Sequence, residues 1–351
     1  MTKTKRKSAP SFMKNVDKFR QSMENVSTES KYPTFFFDSG NAIINKVISD
    51  RYDGGYAQGR LAMLAGPSSG GKSYLAGNAV AQALRDDYGV FVLDSENAFD
   101  DIYLSKIGAD VDDPYYAYNG VNTLSEATRL LAEFFKHYTA QPEADRIPYL
   151  IVIDSISELQ TDTQAEKGKK GEMNKDMGQH AKQSKSFLSN LMQQVKGLPI
   201  AVLITKQPYE NSDGYTNKRN PYVITAANRF AFSQILMITN RLLKDKSTNI
   251  YEGIVLEVYG EKTRFAKPYQ KCIIDVPYET GIDWYSGVLE AAEAMGIVSK
   301  AGAWYAFGDN KFQSKNFEKY KDEIFKELVA QESKVLNYEL LPEDLEDNQP
   351  Q

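Results

Sequence analysis

The sequence predicts an α/β fold with a mostly parallel central sheet covered by helices on both faces. Continuous apolar runs of strand length alternate with amphipathic segments of helical period between residues 60 and 205, and this alternation is typical of a parallel sheet buried on both sides. The first apolar run is followed directly by a glycine-rich turn and then by a helical segment, which is the order of a phosphate-binding βα unit.

The individual elements follow from the apolar runs and from the residues that end them. An apolar segment at 35–37 marks where the chain enters the core. The strands predicted for the parallel part are residues 60–66, 89–94, 148–154 and 198–205. The helices predicted between them are residues 72–85, 124–138 and 184–196, the last of which ends at Gly197. The elements predicted later in the chain are strands of a more antiparallel kind at 233–239, 251–260 and 271–276, a helix at 284–298, an aromatic hairpin at 301–307 and a terminal helix at 315–331.

The composition predicts a folded soluble protein. Hydrophobic residues make up 42% and charged residues 25% of the chain, and no run approaches the roughly 18 apolar residues of a membrane span, so we expect a cytoplasmic protein. Cys272 is the one cysteine, which rules out an internal disulfide and indicates a small core residue. With two histidines in the whole chain, a zinc site has too few ligands.

The sequence predicts four parts: a basic N-terminal arm at 1–31, a core at 32–280, a small C-terminal subdomain at 281–335 and an acidic tail at 336–351. Charge distinguishes the two termini, and the change in the pattern of predicted elements after Gly281 distinguishes the subdomain. Between residues 3 and 20 there are seven basic residues and one acidic residue, although the whole chain has a net charge of −5. In one interpretation, both termini are solvated, poorly ordered segments. In the other, the arm contacts DNA or a neighbouring subunit, and the tail competes with DNA for basic surfaces.

The glycine-rich turn fits the phosphate-loop pattern GxxxxGK[ST] at every fixed position. Its residues are Gly66, Pro67, Ser68, Ser69, Gly70, Gly71, Lys72 and Ser73. In such a loop, backbone N–H groups surround phosphate oxygens, Lys72 reaches the β- and γ-phosphates and the Ser73 hydroxyl holds Mg²⁺. Tyr74 follows directly and is included in the candidate nucleotide site. The alternative is a glycine-rich turn that has a structural role and binds no phosphate.

Two carboxylate-ended strands complete the candidate site. Asp154 ends the apolar run 150–153 and is the candidate partner of Mg²⁺. Asp94 ends another run, and strand alternation predicts that Glu96 lies on the same side as Asp94 and reaches over the phosphate site. Glu96 is therefore the candidate base that polarises the attacking water. The alternative for Glu96 is a solvated side chain or a helix cap.

Five segments together resemble one family. The segments "GRLAMLAGPSSGGKSYLAG", "VFVLDSENAFDDIYLSKIGAD", "PYLIVIDSIS", "EKTRFAKPY" and "ETGIDWYSGVLEAAEAMGIVSKAGAWYAF" occur in the order and spacing of RecA-type recombinases. In detail the chain looks most like the tailed-phage branch, the UvsX-like recombinases. The resemblance runs from about Asp38 to about Phe307 and implies a RecA-like ATPase core that uses ATP and Mg²⁺.

The resemblance also implies roles for single residues. Glu96 matches the catalytic glutamate of the family and Asp154 its second acidic motif. Tyr103 matches the aromatic residue that stacks on adenine, and Asp100 matches a neighbour of the base. Lys262 and Arg264 match basic residues that reach across to the ATP of an adjacent subunit. From the residues alone, Tyr103 is a packed amphipathic residue, and Lys262 and Arg264 are exposed cations on an edge strand.

Two polar segments match the loops with which family members contact DNA. The candidate DNA-binding residues of the first loop, residues 161–185, are Lys167, Lys169, Lys170 and Lys175. Those of the second loop, residues 209–225, are Lys218, Arg219 and Tyr222. Cations for phosphates and aromatic faces for bases are what single-stranded DNA binding requires. The alternative is a pair of solvated surface loops.

The chain departs from the family pattern at the end of the fourth predicted strand. Family members have a polar residue there that senses the γ-phosphate, commonly Gln or His. This chain has Thr205, Lys206, Gln207 and Pro208 in succession, so either Lys206 or Gln207 fills that place. We include Gln207 among the candidate catalytic residues.

These observations support a DNA-dependent ATPase that forms helical filaments on single-stranded DNA and pairs it with homologous duplex DNA in recombination and repair. Single-strand-binding and mediator proteins are the further partners that the resemblance implies, in the cytoplasm of a bacterial host if the chain is phage-encoded. Two alternatives remain open at this point. One is a ring-forming motor on the same core, such as a hexameric helicase or a clock-type ATPase. The other is a DNA-binding regulatory paralogue that does not hydrolyse ATP.

Overall fold

The computed structural model describes residues 32–172, 177–210, 222–223, 229–244 and 249–331. The chain divides into two compact units, residues 1–34 and residues 35–351, and every element below lies in the second. The described strands are β1 Phe36–Phe37, β2 Tyr56–Ala57, β3 Arg60–Ala65, β4 Gly89–Asp94, β5 Tyr116–Gly120, β6 Tyr149–Asp154, β7 Ile200–Lys206, β8 Tyr209–Glu210, β9 Tyr222–Val223, β10 Gln234–Lys244, β11 Tyr251–Thr263, β12 Lys271–Pro277, β13 Ser299–Ala301, β14 Trp304–Phe307 and β15 Asn310–Gln313. The described helices are α1 Ala42–Ser49, α2 Lys72–Arg85, α3 Asp101–Ile107, α4 Leu124–Ala140, α5 Asp162–Lys169, α6 Met177–Val195, α7 Val288–Ala294 and α8 Lys321–Ala330.

A large sheet forms the centre of the molecule. Within the described residues it has eight strands in the order β12-β11-β10-β3-β7-β6-β4-β5. The six strands from β10 to β5 are parallel to one another, whereas β11 runs antiparallel to both β10 and β12. This topology confirms the predicted mostly parallel sheet. The predicted antiparallel character holds for the pairs β10–β11 and β11–β12, whereas β10 also joins the parallel part through β3.

Each face of the sheet is buried by its own set of helices. On one face, residues such as Leu64 and Leu203 pack in a core with α1, α2, α7 and α8. On the other face, Met63 and Val202 pack in a second core with α4 and α6. Alternate residues of one strand therefore enter different cores, which is why the strands read as continuous apolar runs. Cys272 is buried in the first core, as predicted.

The helices predicted at 72–85 and 124–138 are confirmed as α2 and α4, but the prediction of a loop over 161–185 is wrong. Thr161 caps α5, because its hydroxyl accepts from the Gln164 amide at 3.2 Å while the Gln164 side chain accepts from the Thr161 amide at 2.9 Å. This reciprocal capping box starts a helix in a polar segment. Helix α6 then begins at Met177 rather than at residue 184.

Residues 281–331 pack against the start of the core. The Trp284 indole donates to Asp38 Oδ2 at 2.8 Å, and Asn41, which caps α1, donates to the carbonyls of Asp283 and Ser286. The predicted aromatic hairpin is a three-stranded sheet, β13-β14-β15. A separate C-terminal subdomain from residue 281 stays a prediction. The predicted basic arm and acidic tail lie outside the described residues. No described helix combines the length and the apolarity needed to cross a membrane.

Candidate nucleotide site

The phosphate loop lies between β3 and α2, and its glycines are required by close packing against the neighbouring hairpin. A Cβ atom on Gly66 would lie 2.2 Å from the Ile238 carbonyl oxygen on β10, and one on Gly71 would lie 2.7 Å from Leu256 Cδ2 on β11. Gly71 also has φ +102, a conformation that side chains disfavour. Strands β10 and β11 therefore form the wall against which the loop is shaped.

Two polar contacts hold the loop. Lys72 Nζ donates to the Pro67 carbonyl at 2.8 Å, and Asn240 Nδ2 donates to the Ser69 carbonyl at 2.6 Å. Ser69 has φ +58, the left-handed region. Burial lowers the pKa of Lys72, and the nearby carboxylates of Glu96 and Asp154 oppose that shift. Asn240 therefore engages a carbonyl oxygen of the loop, an acceptor that would otherwise repel an anion bound there.

Asp154 lies at the end of β6, fully buried beside the first turn of α2. The Thr205 hydroxyl donates to Asp154 Oδ1. Among the described residues, Asp154 Oδ2 is buried without a hydrogen-bond partner. Burial raises the pKa of Asp154, and the hydroxyls of Thr205 and Ser73 counteract that rise.

These residues fit Mg²⁺. Within the part of the chain that the structure describes, no group of three or more His, Cys, Asp or Glu side chains could hold a metal ion. Mg²⁺ keeps several waters and binds through few protein groups. Ser73 as a ligand and the unpartnered oxygen of Asp154 as an acceptor for a metal-bound water supply what such an ion needs.

Glu96 lies beyond the end of β4, in a bend, so the expectation that strand alternation positions it is wrong. The buried Asp94 carboxylate sets its place: Oδ1 accepts from the Glu96 amide at 2.9 Å, and Oδ2 accepts from the Phe99 amide at 3.0 Å and from the Tyr118 hydroxyl at 3.2 Å. The Ser155 hydroxyl donates to Glu96 Oε1 at 2.5 Å. Glu96 is exposed and lines the same cleft as Lys72 and Ser73.

The cleft has a volume of about 390 Å³ and extends from the phosphate loop to an aromatic end. Tyr74 and Tyr103 line that end, and Asp100 caps α3 by accepting from the Tyr103 amide at 2.8 Å. Burial raises the pKa of Tyr103, which therefore stays protonated at neutral pH. The lining residues that sequence reasoning missed are Asn240, Ile254, Val276, Pro277, Tyr278 and Gly281. Tyr278 directly precedes the segment 279–307, so the match of that segment was the signal available for it.

The structure separates the two candidates at the end of β7. Gln207 is exposed and lines the cleft together with Glu96 and the phosphate loop. Lys206 is 7% exposed and does not line the cleft. Because Thr205 faces Asp154, the Lys206 side chain enters the opposite face of the sheet. Burial lowers the pKa of Lys206.

Lys262 and Arg264 are absent from the described lining of the cleft. Lys262 pairs with Ile235, which pairs with Met63, three residues before the phosphate loop begins. Strand β11 is antiparallel to β10, so from Lys262 to Arg264 the chain runs further from the loop of its own subunit. The register shifts at Glu261, which adds a bulge, a feature that re-aims side chains at strand ends.

The two residues belong to a cationic patch made of Arg60, Arg229, Lys262 and Arg264. Lys262 Nζ donates to the Arg229 carbonyl at 2.7 Å, and Arg229 pairs with Glu261 at 2.6 Å. Partial burial, followed by the charges of Arg264 and Arg229, lowers the pKa of Lys262. Burial and the Arg264 charge lower the pKa of Arg60. The contribution of the Arg264 charge to both shifts shows that these cations lie close enough to interact.

The candidate DNA-binding residues are described in part. Lys167 and Lys169 lie in the last turn of α5, and Lys170 ends that helix. Lys175, Lys218 and Arg219 lie outside the described residues. Tyr222 is on β9, which pairs antiparallel with β8, and β8 begins at Tyr209, two residues after Gln207. These assignments stay predictions.

Comparison with known proteins places this site in a family. Residues 13–283 match the family model described as the RecA N-terminal domain. Protein RecA of Porphyromonas gingivalis is 28% identical over 268 residues, which are 74% of this chain and 72% of that protein. Protein RecA of Bacteroides thetaiotaomicron is 28% identical over 264 residues, 74% of each chain. Protein RecA of Mesoplasma florum is 29% identical over 284 residues, 79% of each chain.

Proposed function

Because the chain belongs to the RecA family, we propose that it is a DNA-dependent ATPase that forms filaments on single-stranded DNA and promotes homologous pairing and strand exchange. One observation carries this proposal. The phosphate loop and Glu96 line one cleft, and the buried Asp154 lies beside Ser73 of the loop, while the cationic patch that would complete the site lies further back along the same sheet. A second subunit must supply those cations.

The residues of the cleft divide the work of hydrolysis. ATP and Mg²⁺, when bound, supply the transferable phosphoryl group and the charge that neutralises it. The loop amides and Lys72 hold the phosphates, and Ser73 and Asp154 hold the metal and its water. Glu96, fixed by Asp94 and Ser155, orients the attacking water and accepts its proton. Tyr103 stacks on the base.

The cations of the neighbouring subunit act on the same phosphates. Lys262 and Arg264 stabilise the negative charge that spreads over the phosphoryl group during transfer, and they do so only when two subunits are in contact. Head-to-tail contacts of this kind build open filaments. They form a ring only if the rotation between subunits closes it. ATP therefore favours assembly, and its hydrolysis weakens the contact.

Gln207 supports a link between nucleotide and DNA. It lines the cleft, and its backbone N–H donates to the Ser157 hydroxyl at 3.2 Å. The chain then passes directly into the β8–β9 segment, which carries the second set of candidate DNA-binding residues. A displacement of Gln207 on loss of the γ-phosphate would thus move the start of that segment. Gln207 is the better supported sensor of the pair Lys206 and Gln207.

The test combines turnover with imaging. We expect single-stranded DNA to stimulate ATP hydrolysis and to carry helical filaments in electron micrographs recorded with a slowly hydrolysed ATP analogue and Mg²⁺. Discrete rings with directional unwinding would instead identify a helicase-like motor. Absence of both DNA-stimulated turnover and filaments would refute the proposal.

Glu96→Gln separates an ATPase from a non-hydrolysing regulator. Replacing the carboxylate by a neutral amide of the same shape should reduce turnover by at least about 100-fold, because general-base catalysis is lost. Nucleotide binding, measured by calorimetry, should stay near the wild-type value. The matched control is Glu323→Gln on the exposed face of α8, which should hydrolyse ATP normally. Unchanged turnover in Glu96→Gln would remove Glu96 from the mechanism.

A further inference from the structure

The aromatic end of the cleft is closed by a short connection, residues 277–282, which we call the strap. It joins the end of β12 to the segment before α7. Three backbone N–H groups fix it: Tyr278 donates to the Glu252 carbonyl, Gly281 to the Pro277 carbonyl and Ile282 to the Tyr74 hydroxyl, each at 2.8 Å. The first bond ties the strap to β11 and the second closes its turn. The third ties it to the helix of the phosphate loop.

Tyr74 is well placed for this contact. It lies in the first turn of α2, two residues after Lys72, and it is half-buried. Gly281 has φ +70, and a Cβ atom there would lie 2.9 Å from the Tyr74 hydroxyl oxygen. The strap thus approaches the hydroxyl as closely as a residue without a side chain allows. Burial raises the pKa of Tyr74, so the hydroxyl keeps its proton at neutral pH.

The strap carries part of the cleft wall. Pro277, Tyr278 and Gly281 line the cleft that Tyr103 also lines. Tyr278 is 62% exposed, which leaves much of its ring available to a flat ligand. Since the Tyr278 amide donates to β11 and the Ile282 amide donates to Tyr74, the backbone is held both at this ring and at the far end of the strap.

We propose that Tyr74 is a positioning residue whose hydroxyl holds the strap, and with it Tyr278, at the base end of the nucleotide cleft. The helix that starts at the phosphates and the wall that contacts the base are then one unit. Loss of the hydroxyl frees the strap and weakens binding of the base, while the phosphate loop keeps its shape. This inference rests on the proposed nucleotide site.

The test compares ATP with inorganic tripolyphosphate, which has the phosphates but no base. With Mg²⁺ present, Tyr74→Phe should bind ATP about five-fold more weakly, as loss of one hydrogen bond implies, and should bind tripolyphosphate as the wild type does. The matched control is Tyr138→Phe, which removes a hydroxyl bond of 2.8 Å to the Ile147 carbonyl in the other core. Both ligands should bind this control normally.

A double variant identifies the route of the effect. Tyr278→Ala should weaken ATP binding by itself, and adding Tyr74→Phe should then change ATP affinity no further, because the strap has no ring left to position. Equal weakening of ATP and tripolyphosphate by Tyr74→Phe, no weakening of either, or additive effects in the double variant would each overturn the proposal. A purely structural role would lower the melting temperature and leave the ratio of the two affinities unchanged. If the wild type binds neither ligand, the proposed function itself fails.

Discussion

At the scale of single residues, Asn240 gives the phosphate loop an external support. Its side chain is exposed on β10, and it reaches the Ser69 carbonyl at the tip of the loop. An amide suits this place because it donates a hydrogen bond and brings no charge. A carboxylate there would repel both the carbonyl oxygen and the phosphates.

Asn240→Asp should therefore weaken binding of ATP with Mg²⁺ by about ten-fold at low ionic strength, and the loss should shrink as salt screens the added charge. Titration calorimetry at two salt concentrations measures both effects. Asn310→Asp makes the same change at an exposed position on β15 and should bind ATP as the wild type does. Equal affinities for the two variants would show that Asn240 does not support the loop.

Lys206 carries a different consequence, because it is a buried cation. Burial lowers the pKa of Lys206 from its ordinary value of 10.5, so the folded protein holds this proton less tightly than the unfolded chain. The free-energy cost of burying the protonated Lys206 is fully present below the lowered pKa. It disappears as pH rises towards 10.5. The contribution of Lys206 to the unfolding free energy should therefore increase with pH in the alkaline range.

Lys206→Met should remove that rise and increase the unfolding free energy at pH 7, because the folded state then contains no buried cation at this position. Urea denaturation between about pH 7 and pH 10 measures the difference between variant and wild type. Lys196→Met, at an exposed position, is the matched control and should leave the curve unchanged. A wild-type curve parallel to that of Lys206→Met would contradict the prediction.

Residues at strand ends were accessible to sequence reasoning, and residues across the sheet were not. Asp154 and Glu96 were found because apolar runs ended beside them. Asn240 belongs to the site only because β10 pairs with β3, a long-range pairing without a local sequence signal. Tyr278 follows β12 and reaches the cleft because β12 pairs with β11, and the adjacent matched segment 279–307 was the one signal available for it. The register of Lys262 also became apparent only from the pairing of three strands.

At the scale of elements, helices were predicted correctly where one face of the helix is apolar and the opposite face is polar. Helix α4 has a clear apolar stripe, and it was predicted at residues 124–138. All eight residues of α1 are buried, including the polar residues Asn45, Lys46 and Ser49, so the polar side of this short helix does not face solvent, and the helix was not predicted. Helix α5 has no buried residue, so its polar composition indicated a loop. Its capping box was the signal that could have corrected this prediction.

The helical structure of α5 sharpens the prediction for DNA binding. Lys167, Lys169 and Lys170 lie together at its C-terminal end. If they bind phosphates of single-stranded DNA, changing all three to Gln should reduce the slope of log affinity against log salt by roughly 0.7 for each phosphate that is no longer neutralised. Fluorescence anisotropy at several salt concentrations measures that slope.

A control with the same charge change distinguishes direct binding from general electrostatics. Lys311, Lys315 and Lys319 are exposed near the C-terminal sheet, and their triple Gln variant should keep the wild-type slope. An unchanged slope in the α5 variant would remove this helix from the DNA surface. An equal decrease in both variants would indicate attraction by net charge alone.

At the scale of the whole molecule, the proposed sharing of the site between two subunits predicts complementation between inactive chains. Glu96→Gln inactivates the half of the site that contains the phosphate loop. Arg264→Ala inactivates the half that supplies the cations to the neighbouring subunit. In a random equal mixture, about one interface in four joins two intact halves, so the mixture should regain about a quarter of wild-type turnover. Steady-state ATPase assays on single-stranded DNA measure it.

The control mixes Glu96→Gln with the double variant Glu96→Gln/Arg264→Ala. Every loop half in that mixture lacks the carboxylate, so no interface can be complete and turnover should stay at the level of the single variants. Recovery in the control would point to contaminating wild-type activity. No recovery in the first mixture would mean that Arg264 acts within its own chain, against the strand register.

The separation of the phosphate loop from Lys262 and Arg264 along one sheet also makes the proposed assembly directional. A row of n subunits has n − 1 complete sites, because one terminal subunit has no neighbour to supply cations to its loop. The subunit at the opposite terminus presents its cations to solvent. Nucleotide persists longest at the first terminus, so the two termini gain and lose subunits at different rates, and growth along DNA has a preferred direction.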